Sequence, residues 1–193
     1  MLEIIGLILG LIGAISSLWY IYEKLLPGRR LSWRFAQKAA KRIAEELTAD
    51  DFSPTIIIGI SRGGAIMGAL ISGCLGHRPL VVIDPKYTWK EGYRFDDMIF
   101  NVDIPQNFLE KVLLVSGEVH SGNTMKFYYE HFKKVGAKSI RRATLYYEKM
   151  APIKVEYKGL ESTKQNILMP WMFTKQYIRE DRYPPKNTTD NSG

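Results

Sequence analysis

Between Val112 and Met125 the chain reads V-L-L-V-S-G-E-V-H-S-G-N-T-M. An apolar run of β type, Val112 to Val115, gives way to small residues and then to a helical pattern. A loop that joins a strand to a helix in this way can cradle a phosphate. Backbone N–H groups at the helix N-terminus point at the anion, and a glycine lets the main chain come close. Here the loop is Ser121, Gly122, Asn123 and Thr124, with two hydroxyls beside the backbone donors. A second loop has the same build. Thr55 to Ile60 (T-I-I-I-G-I) leads into Ser61-Arg62-Gly63-Gly64. The Arg62 guanidinium is a two-pronged donor for phosphate oxygens, and Gly63 and Gly64 admit close backbone approach. Taken alone, this second loop reads best as an ordinary turn. With both in register, phosphate binding at the first and phosphate or pyrophosphate binding at the second is the favoured reading.

The elements around these loops alternate. Ser32 caps a helix running to about Leu47, with Phe35, Ala39, Ile43 and Leu47 on its buried face. Strands follow at Thr55–Ile60, Leu80–Ile83, Val112–Val115 and Ser139–Tyr147. Helices are expected at Ala65–Leu75 and Thr124–Val135, the latter ended by Gly136. Continuously apolar, β-branched strands between helices imply an α/β fold: a parallel sheet with helices on both faces. In such sheets ligands bind beyond the C-terminal ends of the strands. Both loops, 61–64 and 116–124, lie there.

The first residues predict something different. Ile4 to Tyr22 carries no charge and is just long enough to cross a bilayer as a helix. Trp19, Tyr20 and Tyr22 stand where an aromatic belt meets headgroups, and Lys24, Arg29, Arg30 and Arg34 follow. The basic side is cytoplasmic by the positive-inside rule. No positive n-region or small-residue cleavage site marks a signal peptide. Gly6 and Gly10 form a G-x-x-x-G face that lets such helices associate, which predicts a homo-oligomer. The expected division is a transmembrane helix over 1–26, a cytoplasmic domain over 27–173, and an extension with a disordered polar tail over 174–193.

The net charge of +7 suits phosphate-bearing ligands or an anionic membrane face. The positive charges are spread out and form no dense Lys/Arg run, which argues against nucleic acid. The single cysteine, Cys74, excludes an intramolecular disulfide. No cluster of metal-ligating residues is read from the sequence.

From Leu31 to about Phe173 the order of the pieces resembles the type I phosphoribosyltransferases, in their purine, xanthine–guanine-like branch. F-S-P-T-I-I-I-G-I-S-R-G-G is similar to the family's first loop, and V-L-L-V-S-G-E-V-H-S-G-N-T to its phosphoribosyl-diphosphate (PRPP) loop. K-V-G-A-K-S-I and N-I-L-M-P-W, from Asn166 to Trp171, also match. The resemblance implies that Ser121–Thr124 binds a 5′-phosphate and Ser61–Gly64 binds pyrophosphate. It implies Mg²⁺ as a cofactor accompanying the ligand. It sets Trp171 near a purine ring, either as a stacking face or as a core or interface residue; where the family has a lysine that meets the base stands Glu148, with Lys149 next to it as the base-binding candidate.

The chain departs from the family at its acids. Ser116 and Gly117 stand where two carboxylates accept from the ribose hydroxyls, with Glu118 one place beyond. His120 stands where a third acid lies near the base, and is read either as a proton-exchanging group or as a plain loop histidine. Tyr87 to Phe100 lies where the family has a closing loop, or else forms an exposed hairpin. The resulting expectation is a membrane-anchored protein of this fold that binds a nucleotide, PRPP or a similar phosphorylated ligand, as a catalytically degenerate sensor or effector. The alternative is an active purine phosphoribosyltransferase.

Overall fold

In a computed structural model of the chain, residues 17, 29–83, 88–89, 93–94, 104–163 and 167–172 are described, with backbone only at 29, 88–89 and 93–94. The predicted membrane segment, apart from residue 17, and the C-terminal tail lie outside the described residues. So does most of the 87–100 loop. Among the described residues no helix is long and apolar enough to cross a membrane.

The elements run β1 (Arg29–Arg30), α1 (Trp33–Ala49), β2 (Ile56–Ile60), α2 (Ser61–Cys74), β3 (Leu80–Ile83), β4 (Thr88–Trp89), β5 (Tyr93–Arg94), β6 (Lys111–Val119), α3 (Asn123–Lys134), β7 (Ser139–Glu148), β8 (Tyr157–Ser162) and β9 (Ile167–Leu168). Five strands form one parallel sheet in the order β3-β2-β6-β7-β8. Side chains alternate across a strand, and the two apolar faces separate accordingly. Ile57, Leu113, Val115, Ala143 and Leu145 pack with Ala36, Ile43 and Leu47 of α1 and with Met67 and Ile71 of α2. Ile56, Ile58, Val112 and Leu114 pack with Met125, Tyr128 and Phe132 of α3. The sheet is thus covered on both faces, as the uninterrupted apolar strands imply.

Local chemistry fixes the helix ends. The Phe35 amide donates to the Ser32 side chain at 3.1 Å, the expected N-cap of α1. Arg42 on α1 donates to the carbonyls of Lys158 and Gly159 at 2.6 and 2.7 Å, tying the helix to β8. Downstream of α3, Gly136 takes φ +98° and turns the chain toward β7.

Two boundaries differ from the sequence reading, and both matter for the site. The segment expected as the loop 61–64 is the first turn of α2. The strand expected to stop at Val115 continues to Val119, because Ser116, Glu118 and Val119 pair with Thr144, Tyr146 and Tyr147 of β7. Apolar content ends at Val115, but the backbone ladder does not. Strands β8, β1 and β9 carry too short or too mixed a pattern to be read in advance. β1 and β9 pair in parallel, so the residues just before α1 sit beside those just before Trp171. β4 and β5 pair antiparallel, with Thr88 opposite Arg94, which is the hairpin alternative for that stretch.

Candidate functional site

The site lies where the C-terminal ends of β2, β6 and β7 meet the N-termini of α2 and α3. The joint between β2, α2 and β6 is made by backbone against backbone. A Cβ placed on Gly64 would lie 2.3 Å from the Val115 carbonyl oxygen and 3.0 Å from the Gly59 carbonyl carbon. The first turn of α2 is therefore pressed onto the sheet. Ser61 enters that turn with φ +57°, a left-handed conformation in a non-glycine residue. Such strain costs about 1–3 kcal/mol and collects at functional turns. Arg62 projects from the same turn and is exposed.

Gly63 and Gly117 touch. A Cβ on Gly117 would meet the Gly63 Cα at 2.7 Å and the Trp171 ring at 2.8 Å. A Cβ on Gly63 would meet the Gly117 Cα at 2.9 Å. The sequence-predicted pyrophosphate segment, the ribose position and Trp171 are thus brought together in one contact. Trp171 is half-buried, and its ring lies 6.1 Å from that of Trp33, tilted by 57°. Beside Gly117, the Ser116 hydroxyl donates to the Glu118 carbonyl at 2.8 Å, so it is engaged within its own strand.

Past Gly117 the strand presents Glu118 and His120 on one face, and β7 presents Tyr146 and Glu148 beside them. His120 Nδ1 lies 3.0 Å from Glu148 Oε2, and its Nε2 lies 3.2 Å from Glu118 Oε2. The imidazole is 33% exposed and the Glu148 side chain only 14%, so the contact is sheltered from water. The Tyr146 ring is 5.4 Å from His120. Burial pushes the Tyr146 hydroxyl above its ordinary value, and the charges of Glu148 and Glu118 push it the same way.

Glu148 is the site residue that the sequence reading undervalued. Two-residue periodicity could have found it: Glu118 and His120 on one strand face Tyr146 and Glu148 on the next, with Glu118 opposite Tyr146. Lys149, predicted beside the base, is instead exposed. Its amide donates to the Ser162 carbonyl at 3.0 Å, which places it past the end of β7.

The predicted phosphate loop is a strand-to-helix turn as expected. Gly122 is the N-cap of α3, with φ +75° and ψ 0°. Glycine adopts this conformation at no steric cost. The Lys126 amide bonds to the Gly122 carbonyl, starting the helix. Ser121 and Asn123 are exposed, and Thr124 is half-buried. The Asn123 amide reaches the Ser121 hydroxyl only at 3.5 Å. The first turn of α3 therefore offers backbone donors and a positive dipole end.

The segment joining β7 to β8 packs against this turn. A Cβ on Gly122 would meet Ile153 Cγ1 at 2.5 Å. Ile153 is held by the Tyr147 hydroxyl, which donates to its carbonyl at 2.6 Å. Glu156 anchors the same segment by a two-pronged pair with Arg142, at 3.2 Å from Nε and 2.8 Å from Nη2. Burial pushes the Glu156 carboxyl up, but the Arg142 hydrogen bonds and charge prevail and hold it below its ordinary value.

Among the described residues no group of three His, Cys, Asp or Glu side chains is arranged to hold a metal ion; Glu118, His120 and Glu148 bond to one another instead. Glu118 and Glu148 each give an oxygen to His120. The fit for a resident Mg²⁺ is therefore poor.

Comparison with known proteins agrees with this geometry. A family model described as a phosphoribosyl transferase domain matches residues 31–178. The structure of a purine phosphoribosyltransferase from Pyrococcus horikoshii Ot3 is 30% identical, with a TM-score of 0.66; the match covers 77% of this chain and 97% of that one. A xanthine-guanine-hypoxanthine phosphoribosyltransferase from Helicobacter pylori is 18% identical, covering 74% and 92% of the two chains, with a TM-score of 0.62. A hypothetical protein from Neisseria gonorrhoeae with bound ppGpp is 17% identical, covering 77% and 92%, with a TM-score of 0.61. The last two share the fold. No curated protein sequence matches. With a family match spanning most of the chain and a purine-enzyme structure covered almost end to end, the chain belongs to the type I phosphoribosyltransferase family and is related to its purine enzymes.

Proposed function

We propose that this protein is a membrane-anchored member of the family that binds a nucleotide, PRPP or a similar phosphorylated ligand at Ser121–Thr124, and that it senses or responds to that ligand with little or no turnover. The observation that carries the reading is the contact of Gly117 with the Gly63 Cα and the Trp171 ring. Where the family's ribose carboxylate would extend, backbone and indole fill the space. Ser116, at the other carboxylate position, spends its hydroxyl on the Glu118 carbonyl. Losing two carboxylate acceptors from a ribose costs positioning as well as binding, and positioning supplies much of the rate in reactions of this kind. The cradle at α3 needs neither carboxylate, so phosphate binding survives the loss.

In this reading Ser61–Gly64 takes a pyrophosphate or second phosphate, with Arg62 as its charged donor. Trp171 lies at the base end of the site. Any Mg²⁺ would come with the ligand's phosphates and would neutralise their charge there. The ppGpp bound by the Neisseria gonorrhoeae protein makes a guanine nucleotide with added phosphates a ligand worth testing.

The membrane anchor rests on the uncharged run Ile4–Tyr22 followed by basic residues. It places the domain in the cytoplasm, and the G-x-x-x-G face favours self-association. Deleting residues 1–26 is expected to move the protein from the membrane pellet to the soluble fraction. A truncated protein that stays folded in the pellet contradicts the anchor.

The second reading, an active purine phosphoribosyltransferase, draws on the relation to the Pyrococcus horikoshii Ot3 enzyme. Pyrophosphate release from PRPP separates the two. With guanine, hypoxanthine, xanthine or adenine and Mg²⁺, the full chain in detergent is expected to show far less than about one turnover per second. Turnover at or above that rate favours the enzyme.

A further inference from the structure

We propose that His120, held between Glu118 and Glu148, makes the affinity of the Ser121–Thr124 loop for an anion depend on pH. The proposal deepens the binding reading above and rests on it. Its first support is geometric. Both ring nitrogens lie within hydrogen-bond distance of a carboxylate oxygen, at 3.0 Å to Glu148 and 3.2 Å to Glu118. A neutral imidazole carries one N–H and can donate to only one of them. A protonated imidazole carries two and donates to both. Of the two contacts, the one to Glu148 crosses to β7 and the one to Glu118 stays within the chain's own strand end, so a single proton decides whether both are donated at once.

The second support is placement. Glu118 belongs to β6 and Glu148 to β7, and His120 is the residue between the end of β6 and the loop. The doubly donating ring always keeps its bond to Glu148, the tie between the end of β6 and β7, and so fixes the direction in which the chain enters Ser121. The neutral ring leaves one carboxylate facing a nitrogen lone pair, and in the tautomer that donates to Glu118 the tie to β7 is lost. Protonation also adds a positive charge one residue before the anion loop, next to the positive end of α3. Both effects strengthen anion binding as pH falls. Tyr146 on β7, with its ring 5.4 Å from the imidazole, is a further titratable group at the cluster. Its hydroxyl, pushed upward, stays neutral across this range. Glu118 and Glu148 are positioning residues here: they act on the anion through His120.

The test uses the full chain in detergent with GMP as probe, titrated at about pH 8 and at about pH 5.5, across the range where histidine changes charge. The GMP phosphate also titrates, but identically for every variant, so the ratio of affinities between the two pH values is compared. The gain on acidification is expected to be about threefold to tenfold greater in the natural protein than in His120→Gln, as for a charge added near a partly exposed site. Glu148→Gln is expected to give an intermediate gain. A ring NMR titration supplies a readout that a merely structural histidine would not move. The chain has three histidines, and the signal missing from His120→Gln assigns the one of interest. Its titration is expected to shift in Glu148→Gln. An equal gain on acidification in the natural protein and His120→Gln overturns the proposal, as does an unchanged ring titration in Glu148→Gln. Failure to bind GMP at either pH overturns the binding reading itself, and the pH dependence with it.

Discussion

Gly64→Ala is expected to destabilise the domain by about 3 kcal/mol or more, at the upper end of the cost of overpacking a core. The added Cβ would stand 2.3 Å from the Val115 carbonyl oxygen and 3.0 Å from the Gly59 carbonyl carbon. Both neighbours are backbone, so neither can rotate away. Relief requires α2 to lift off β6, which would open the joint that seats Arg62 and Gly63 at the site. Val112 to Val115 are fully buried, so that movement would also loosen the core under α1 and α2. Thermal unfolding followed by circular dichroism checks this against Gly73→Ala in the same helix, where an added Cβ meets nothing within 4 Å. Gly73→Ala is expected to be neutral or stabilising, by up to about 1 kcal/mol, because alanine favours a helix over glycine. Similar melting temperatures for the two variants would contradict the close-packed joint.

Restoring acids at Ser116, Gly117 and His120 is expected to fail to restore a working ribose site. Matching residues one by one to the family invites the triple substitution to aspartate, with better PRPP binding as its reward. The structure predicts otherwise. At Gly117 the new Cβ would lie 2.7 Å from the Gly63 Cα and 2.8 Å from Trp171. Adding Trp171→Ala removes the second obstacle but leaves the backbone of Gly63. Gly117→Asp alone is therefore expected to cost about 1–3 kcal/mol of stability. Neither the triple variant nor its combination with Trp171→Ala is expected to bind PRPP more tightly than the natural protein. A clear gain in PRPP affinity in the triple variant, with an unchanged melting temperature, would show that position 117 has room for a carboxylate.

The same position shows how far the sequence could be read. The parallel sheet, the caps and the covered faces were legible, because they follow from local rules: β-branched apolar runs, Ser32 as N-cap, and Gly136 at the end of α3. The strand-to-helix turn at Ser121–Thr124 was legible for the same reason. The contact between Gly63 and Gly117 was not. It joins two residues far apart in the chain, and glycine leaves no side-chain pattern to show it. Glu148 was visible as the residue standing at the family's lysine position, with Lys149 next to it, and the choice between them depends on which residue ends the β7 ladder. Position along the strand, rather than residue type, gave Glu148 to His120 and left Lys149 exposed. The start of α2 at Ser61 was hidden by two glycines that suggest a loop. Pressed against the sheet, they form the first turn of the helix.

The central claim is that the first turn of α3 holds the ligand's phosphate, and Asn123→Asp tests it most directly. Asn123 is exposed at the first position of the helix, so the change disturbs no packing. An aspartate there also suits the positive end of the helix, and stability should hold or rise slightly. For a bound anion the same charge is repulsive at short range. The measurement is isothermal titration of GMP into the full chain in detergent, with Mg²⁺, for the natural protein and Asn123→Asp. The account predicts binding by the natural protein and affinity weaker by about tenfold or more in the variant, with no loss of melting temperature. Equal affinity in the two proteins would place the phosphate elsewhere and contradict the account.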